Sequence, residues 1–307
     1  MRITVSSHRA SPLPIPQFPQ LHVHYDTELQ AIIGRVAPRG RPCLTPSLLA
    51  DIEAFQESVR RLCDAGARGS GEVPFRYLAI GSAVPGIYSL GGDLDLFRKL
   101  IGQRARAELR EYALRCVRIT YGFHSALDLP LTTVALVQGN ALGGGLEGAL
   151  SCNLIIAERG VRMGFPEALF NLFPGMGAYS FISRRLGAAQ AERMITSGEL
   201  YEAERLHEMG LVDLLADPGG AEDALRDHDR RVARQGNTLA AVREIRRRYQ
   251  PLPYEELADI AELWVDMALR VRERDLRVME RLVRAQDRRA VGEQRAGTGP
   301  AGASSVA

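Results

Sequence analysis

The sequence predicts an α/β core with a helical C-terminal region, and three observations carry that reading. Short apolar runs bounded by Pro or Gly alternate with segments of helical spacing up to about residue 215. Beyond Pro218 the alternation stops and charged, helix-spaced sequence takes over. The chain of 307 residues is 46% hydrophobic and 25% charged, an ordinary globular balance with enough length to bury a sizeable core.

Taken in order, residues 1–20 hold four prolines and little periodicity, which predicts a flexible arm. Residues 22–34 (HVHYDTELQAIIG) begin strand-like, and residues 47–63 (SLLADIEAFQESVRRLC) space their apolar positions as a helix does. Residues 75–82 (FRYLAIGS) form a short apolar run between Pro and Gly, hence a buried strand. The stretch 93–123 is amphipathic, with Leu100, Ile101, Leu109, Ala113, Cys116, Val117 and Thr120 on one stripe. A second buried strand at 132–139 (TTVALVQG) leads into a glycine cluster, a helix of small residues and the strand 153–158 (NLIIAE). The α/β core on this reading covers 21–217 and the helical region 218–289. Within the latter, 253–289 reads as one long arm with a stripe from Leu257 through Trp264 to Leu282, buried on the core or on another subunit. The Gly/Ala/Ser-rich end, 290–307, reads as a disordered tail.

Composition removes several classes of function. Lys+Arg is 39 against Asp+Glu 37, and all but Lys99 of the cations are arginine. A nucleic-acid surface needs an excess of cations, and a net charge of +2 does not supply it. No apolar run is long enough for a transmembrane helix, and the N-terminal residues lack the apolar stretch of a secretory signal. Cys43, Cys63, Cys116 and Cys152 are far apart, without a CxxC pair or a histidine in ligand register, so they read as reduced thiols. The expectation is a soluble cytoplasmic protein with no metal and no cofactor.

The densest chemical feature is QGNALGGGLEGALSC, residues 138–152. Gly143, Gly145 and Gly148 satisfy G-x-G-x-x-G after a strand, the pattern of a dinucleotide site. Two features oppose that use. Five residues separate Val137 from the first glycine, and Glu147 would face a pyrophosphate with a like charge at the helix start. The alternative takes Glu147 as the functional group: bare glycines leave backbone N–H groups free to stabilise an oxyanion. SLGGDLDLF, residues 89–97, offers a second such turn, and Glu167 follows Pro166 twenty residues after Glu147. Two carboxylates beside two donors suit general acid/base chemistry on a carbonyl compound, because in an apolar pocket their repulsion leaves one protonated and one ionised. Taken singly, a glycine triplet is a turn and a glutamate at a helix start is a dipole partner. The histidines lack a Ser or Cys in an elbow, Asp93 and Asp95 charge a helix start, and Arg246, Arg247 and Arg248 suit either a solvated face or contact with an acidic carrier protein.

In combination these segments resemble the crotonase (enoyl-CoA hydratase/isomerase) superfamily. The order GSAVPGIYSLGGDLDLF, VALVQGNALGGGLEGALSCNLIIAE, RMGFPEALFNLFPGMGA carries the resemblance over about residues 75–215. PEALFNLFPGMGAYSF and the C-terminal ELWVDMAL and MERLVRAQ look more specifically like the diffusible-signal-factor synthases of bacterial quorum sensing, over about 20–289. The resemblance implies a spiral core of ββα units. It implies Glu147 and Glu167 as catalytic glutamates, the N–H groups of Gly92 and Gly144 as oxyanion hole, and Leu142, Gly143, Met176, Trp264 and Leu282 along a substrate tunnel. For Trp264 and Leu282 the reading as plain stripe residues stays open beside that one. The one departure is L-G-G-D where most crotonases carry A-G-A-D, which keeps a free N–H at Gly92. The implied reaction dehydrates a 3-hydroxyacyl thioester of acyl carrier protein to the cis-2-enoyl form and hydrolyses it to a free cis-2-unsaturated fatty acid. An ordinary hydratase or isomerase of acyl-CoA is the alternative enzyme. The resemblance also implies a homotrimer or hexamer and a possible second role bound to the receiver domain of a sensor histidine kinase.

Overall fold

Strands divide between two sheets in the computed structural model, which describes residues 14–69 and 75–284. The expected arm over 1–20 is described only from residue 14, and the expected tail, 290–307, lies outside the described residues. The larger sheet begins with a hairpin, β1 (Leu21–Asp26) antiparallel to β2 (Ala31–Val36), whose turn is closed by Asp26 Oδ1 accepting from the N–H groups of Glu28 and Leu29. Strands β3 (Tyr77–Ser82), β5 (Thr132–Val137), β7 (Leu154–Glu158) and β10 (Leu214–Ala216) follow β2 in that order, each parallel to its neighbour. Helices cover both faces, which is why these strands read as unbroken apolar runs. Leu78 and Ile80 join one core, while Ala79 between them joins the other with Ile33, Leu136 and Ile156.

A second sheet takes the alternate strands, β4 (Gly86–Ser89), β6 (Gly139–Leu142), β8 (Arg162–Gly164) and β9 (Leu200–Glu202), in the order β4-β6-β8-β9. Three successive turns, β3–β4, β5–β6 and β7–β8, each lay one strand in the large sheet and the next in the small one before entering a helix. This is the spiral of ββα units. The small strands have three or four residues each and are half glycine or polar, so periodicity alone passed over them.

The helices are α1 (Pro46–Gly69), α2 (Leu94–Gly102), α3 (Arg106–His124), α4 (Gly144–Leu150), α5 (Ala178–Leu186), α6 (Ala188–Ser197) and α7 (Ala203–Met209). Beyond them come α8 (Ala221–Val232), α9 (Gly236–Tyr249), α10 (Tyr254–Ala268) and a last helix, α11, over 273–284. Two expected helices are each two. The stripe at 93–123 breaks after α2, where Arg104 takes a φ of +53°, although every residue of the stripe is buried as expected. The arm at 253–289 breaks at 269–272, where Asp275 Oδ2 accepts from the N–H of Arg272 and seeds a new helix by half a capping box. Residues 285–289 of that arm lie outside the described residues. The helical region packs into the same core as the spiral: α10 lies on α3, and Trp264, Met279 and Val283 join the main apolar cluster.

Candidate active site

Three parallel strands of the small sheet place the site. The chain leaves β4 into Gly91–Gly92, leaves β6 into Gly143–Gly144, and leaves β8 into Pro166–Glu167. Because β4, β6 and β8 lie side by side and run the same way, all three exits fall on one edge. Gly143 turns there with a φ of +52°, and a Cβ on it would overlap Glu167 Oε1, so the glutamate packs directly against bare backbone. Gly91 likewise has a φ of +87°, and a Cβ on it would lie 3.1 Å from the N of Gly144. A Cβ on Gly144 would lie 3.5 Å from the N of Gly92. The two glycine turns thus press together, and among the described residues neither the Gly92 nor the Gly144 N–H meets a protein acceptor.

Glu147 projects from the first turn of α4 and is 1% exposed. Its Oε1 accepts from the N–H of Met176 at 2.6 Å and of Ala178 at 2.9 Å, a clamp supplied by the PGMGA segment that the sequence did not reveal. Burial raises its pKa from 4.5 to about 7, with those N–H groups pulling the other way. Glu167 sits in a short 3₁₀ turn, Pro166–Phe170, opened by the proline. Burial, then the charge of Glu147, raises its pKa from 4.5 to about 8. Its Oε2 is sealed from solvent without a protein partner. As pH rises through neutrality Glu147, held by two N–H donors, ionises first, while Glu167 keeps its proton to higher pH.

Both carboxyls line a cavity of about 430 Å³. Its wall includes all nine residues singled out from the sequence: Glu147, Glu167, Gly92, Gly144, Leu142, Gly143, Met176, Trp264 and Leu282. Trp264 and Leu282 are thus stripe residues of their helices and cavity wall at once. Sequence reasoning did not find Phe97, Tyr112, Phe170 and Phe173, which add aromatic rings to the apolar wall, or Arg162, its one cation among the described residues. Tyr112 and Phe97 had only a helical apolar period to mark them. Asp93 serves as expected at a helix start, its Oδ1 accepting from Leu96 N, and Asp95 pairs with Arg41. Arg246, Arg247 and Arg248 lie exposed at the end of α9, the last two against Glu244. His124 lies outside the cavity lining, and burial, then nearby arginines, lower its pKa to about 4. All four cysteines are buried and free. Among the described residues no helix is long and apolar enough to cross a membrane.

The spiral of ββα turns brings two glutamates and two bare N–H groups to one apolar cavity, and comparison with known proteins identifies the family that has this fold. The enoyl-CoA hydratase/isomerase family model matches residues 74–250, and the chain belongs to that family. It is 31% identical over 161 residues to "Probable enoyl-CoA hydratase 2, mitochondrial" of Arabidopsis thaliana, covering 52% of this chain and 51% of that protein. It is also 31% identical over 149 residues to the mitochondrial methylglutaconyl-CoA hydratase of Rattus norvegicus, covering 48% and 45%. The chain spans about half the length of the curated relatives it matches. Among solved structures it is similar to Pseudomonas aeruginosa DspI, at 25% identity and a TM-score of 0.61 over 84% of this chain and 98% of that one. An enoyl-CoA hydratase/isomerase from Xanthobacter autotrophicus Py2, 20% identical, shares the fold with a TM-score of 0.69 over 93% and 100%.

Proposed function

We propose that this protein dehydrates a 3-hydroxyacyl thioester to the cis-2-enoyl form and then hydrolyses the thioester, releasing a cis-2-unsaturated fatty acid of the diffusible-signal-factor type. The observation that carries the proposal is the pair of buried carboxyls with raised pKa values beside two unpaired N–H groups in one apolar cavity. In the first step one carboxylate takes the Cα proton, the Cβ–O bond breaks, and the hydroxyl leaves as water with the proton of the other. The thioester oxygen becomes enolate-like and is received by the N–H groups of Gly92 and Gly144. In the second step a carboxylate takes a proton from water, whose oxygen adds to the carbonyl carbon. The same two N–H groups receive the tetrahedral oxyanion, and the C–S bond breaks with the proton going to the departing thiol. One site serves both steps because both build negative charge on the same oxygen.

The apolar wall suits a fatty acyl tail, and Trp264 with Leu282 closes it from the C-terminal helices. The specific reaction and acyl carrier protein as thiol carrier rest on the resemblance to signal-factor synthases. A second reading, hydration or isomerisation of acyl-CoA, is favoured by the hydratases among the relatives. Purified protein incubated separately with 3-hydroxyacyl carrier protein, 3-hydroxyacyl-CoA and crotonyl-CoA, followed by mass spectrometry, separates them. Free cis-2-enoic acid is the expected product. Hydration of crotonyl-CoA without free acid would leave the second reading standing. Inactivity on both, with tight binding of a sensor kinase receiver domain, would favour the binding role. Assembly as a trimer or hexamer is part of the same proposal, and sedimentation velocity tests it.

A further inference from the structure

Tyr112 stands in α3 with its ring edge-on to Phe97, centroids 5.0 Å apart, and Phe97 in turn touches Trp264 at the same spacing. A Cβ on Gly92 would lie 2.6 Å from the Phe97 ring, so this aromatic stack is also the floor under Gly92. The tyrosine hydroxyl donates to Leu44 O at 2.6 Å and accepts from Asp93 N at 3.3 Å. The two segments it joins already meet at Gly92. Leu44 N donates to Gly91 O at 2.8 Å, and Leu44 and Gly92 form an isolated parallel bridge.

The geometry of the peptide unit gives these bonds a consequence. In a trans peptide the C=O and the following N–H point in opposite directions. Because Gly91 O is held by Leu44 N, the Gly92 N–H of the same peptide is turned away from Leu44, toward the cavity. The next peptide, which carries Asp93 N, is held by the phenol. The hydroxyl thus relays the second bond of the bridge, from Asp93 N through oxygen to Leu44 O, and fixes Gly92 on both sides.

We propose that Tyr112 is a positioning residue for the oxyanion pocket, its hydroxyl anchoring the peptide after Gly92 and so holding the Gly92 N–H in the direction that the Leu44–Gly91 bond sets; this rests on the acyl-thioester reading given above. The phenol is no acid of the reaction. Its proton is committed to Leu44 O, and burial lifts its pKa well above 10. Of the groups on neighbouring elements, the carboxyls of Glu147 and Glu167 are untouched by it: neither is among its hydrogen-bond partners.

Tyr112→Phe keeps the ring on Phe97 and removes only the hydroxyl. The expected result is a kcat lowered about tenfold or more, with KM within about twofold and the pH profile of turnover unchanged. A merely structural defect would instead disturb binding and the carboxyls together. A second measurement needs no turnover: isotope-edited infrared spectra of a 3-hydroxyacyl thioester labelled at the carbonyl, bound to Glu147→Gln protein. The carbonyl band should lie below its solution position there and return toward it when Tyr112→Phe is added. Unchanged kcat with an unchanged band overturns the proposal, as does a kcat loss accompanied by a displaced pH profile. If the Glu147→Gln parent shows no lowered band, the oxyanion reading of Gly92 and Gly144 fails, and the role of Tyr112 with it.

Discussion

Replacing Glu147 by glutamine isolates the electrostatic core of the site. Glutamine keeps the size of the side chain and an Oε1 able to accept from Met176 and Ala178, so the clamp survives while the titration disappears. Lifting the Glu147 carboxyl from 4.5 to about 7 corresponds to roughly 3 kcal/mol of disfavoured ionisation, at about 1.4 kcal/mol per tenfold. The native state therefore holds a proton that the unfolded chain has lost between pH 4.5 and about 7, and wild-type stability falls as pH rises through that window. Glu167 adds to the difference, since part of its elevation to about 8 comes from the charge that the variant lacks. His124 acts with the opposite sign. Its pKa is lowered from 6.5 to about 4, so it contributes stability that grows with pH across that range in both proteins and cancels in the comparison. Urea unfolding followed by circular dichroism at steps from about pH 5 to about pH 8.5 measures the effect. Relative to wild type, Glu147→Gln should gain roughly 3 kcal/mol between the two ends, or about 5–10 °C in a thermal scan. Parallel stability curves would refute the reasoning, because a carboxyl with an ordinary pKa produces no such divergence.

Other outcomes follow from the same geometry. Glu147→Ala and Glu167→Ala should each lower turnover by about 10²–10⁴, and near-normal turnover in either variant removes that residue from the mechanism. Turnover should rise through about pH 7 as Glu147 ionises and fall above about pH 8 as Glu167 loses its proton; a flat profile across pH 6–9 contradicts two raised carboxyls acting as base and acid. Gly144→Ala places a methyl 2.8 Å from Met176 Sδ and 3.5 Å from Gly92 N, inside the oxyanion pocket. It should cost about 10²-fold in kcat with circular dichroism unchanged, and full activity would argue that no oxyanion forms there. Trp264→Ala should destabilise by about 3–5 kcal/mol and lengthen the tails accepted, read by denaturant midpoint and by product mass; an unchanged product range would show that Trp264 bounds no tunnel.

Much of the large sheet was legible in the sequence, for a plain reason. Strands covered on both faces must be apolar throughout, so runs such as 132–137 stand out against any background. Helical periodicity served equally well for α1 and for the stripes of α3 and α10. It failed where the stripe outlasted the helix, since an apolar period continues through a turn such as 103–105 without recording that the backbone has changed direction. The small sheet left almost no signal. Strands of three or four residues carry too few side chains for alternation to be counted, and yet they are what brings the glycine turns together.

Residue types and spacing marked Glu147, Glu167 and the bare glycines as candidates, and the resemblance to crotonases is what gave them roles. Their relation to one another is not local. Glu167 lies against Gly143 because β6 and β8 run parallel and adjacent, and the Gly92 and Gly144 turns meet because β4 lies on the other side of β6. The raised pKa values belong to the same level. Desolvation depends on what surrounds a carboxyl in three dimensions, and the wall that excludes water comes from α3 and Trp264, far from either glutamate along the chain, together with the 170–176 loop that follows Glu167. The sequence supplied the two carboxyls; the fold buried them and so raised their pKa.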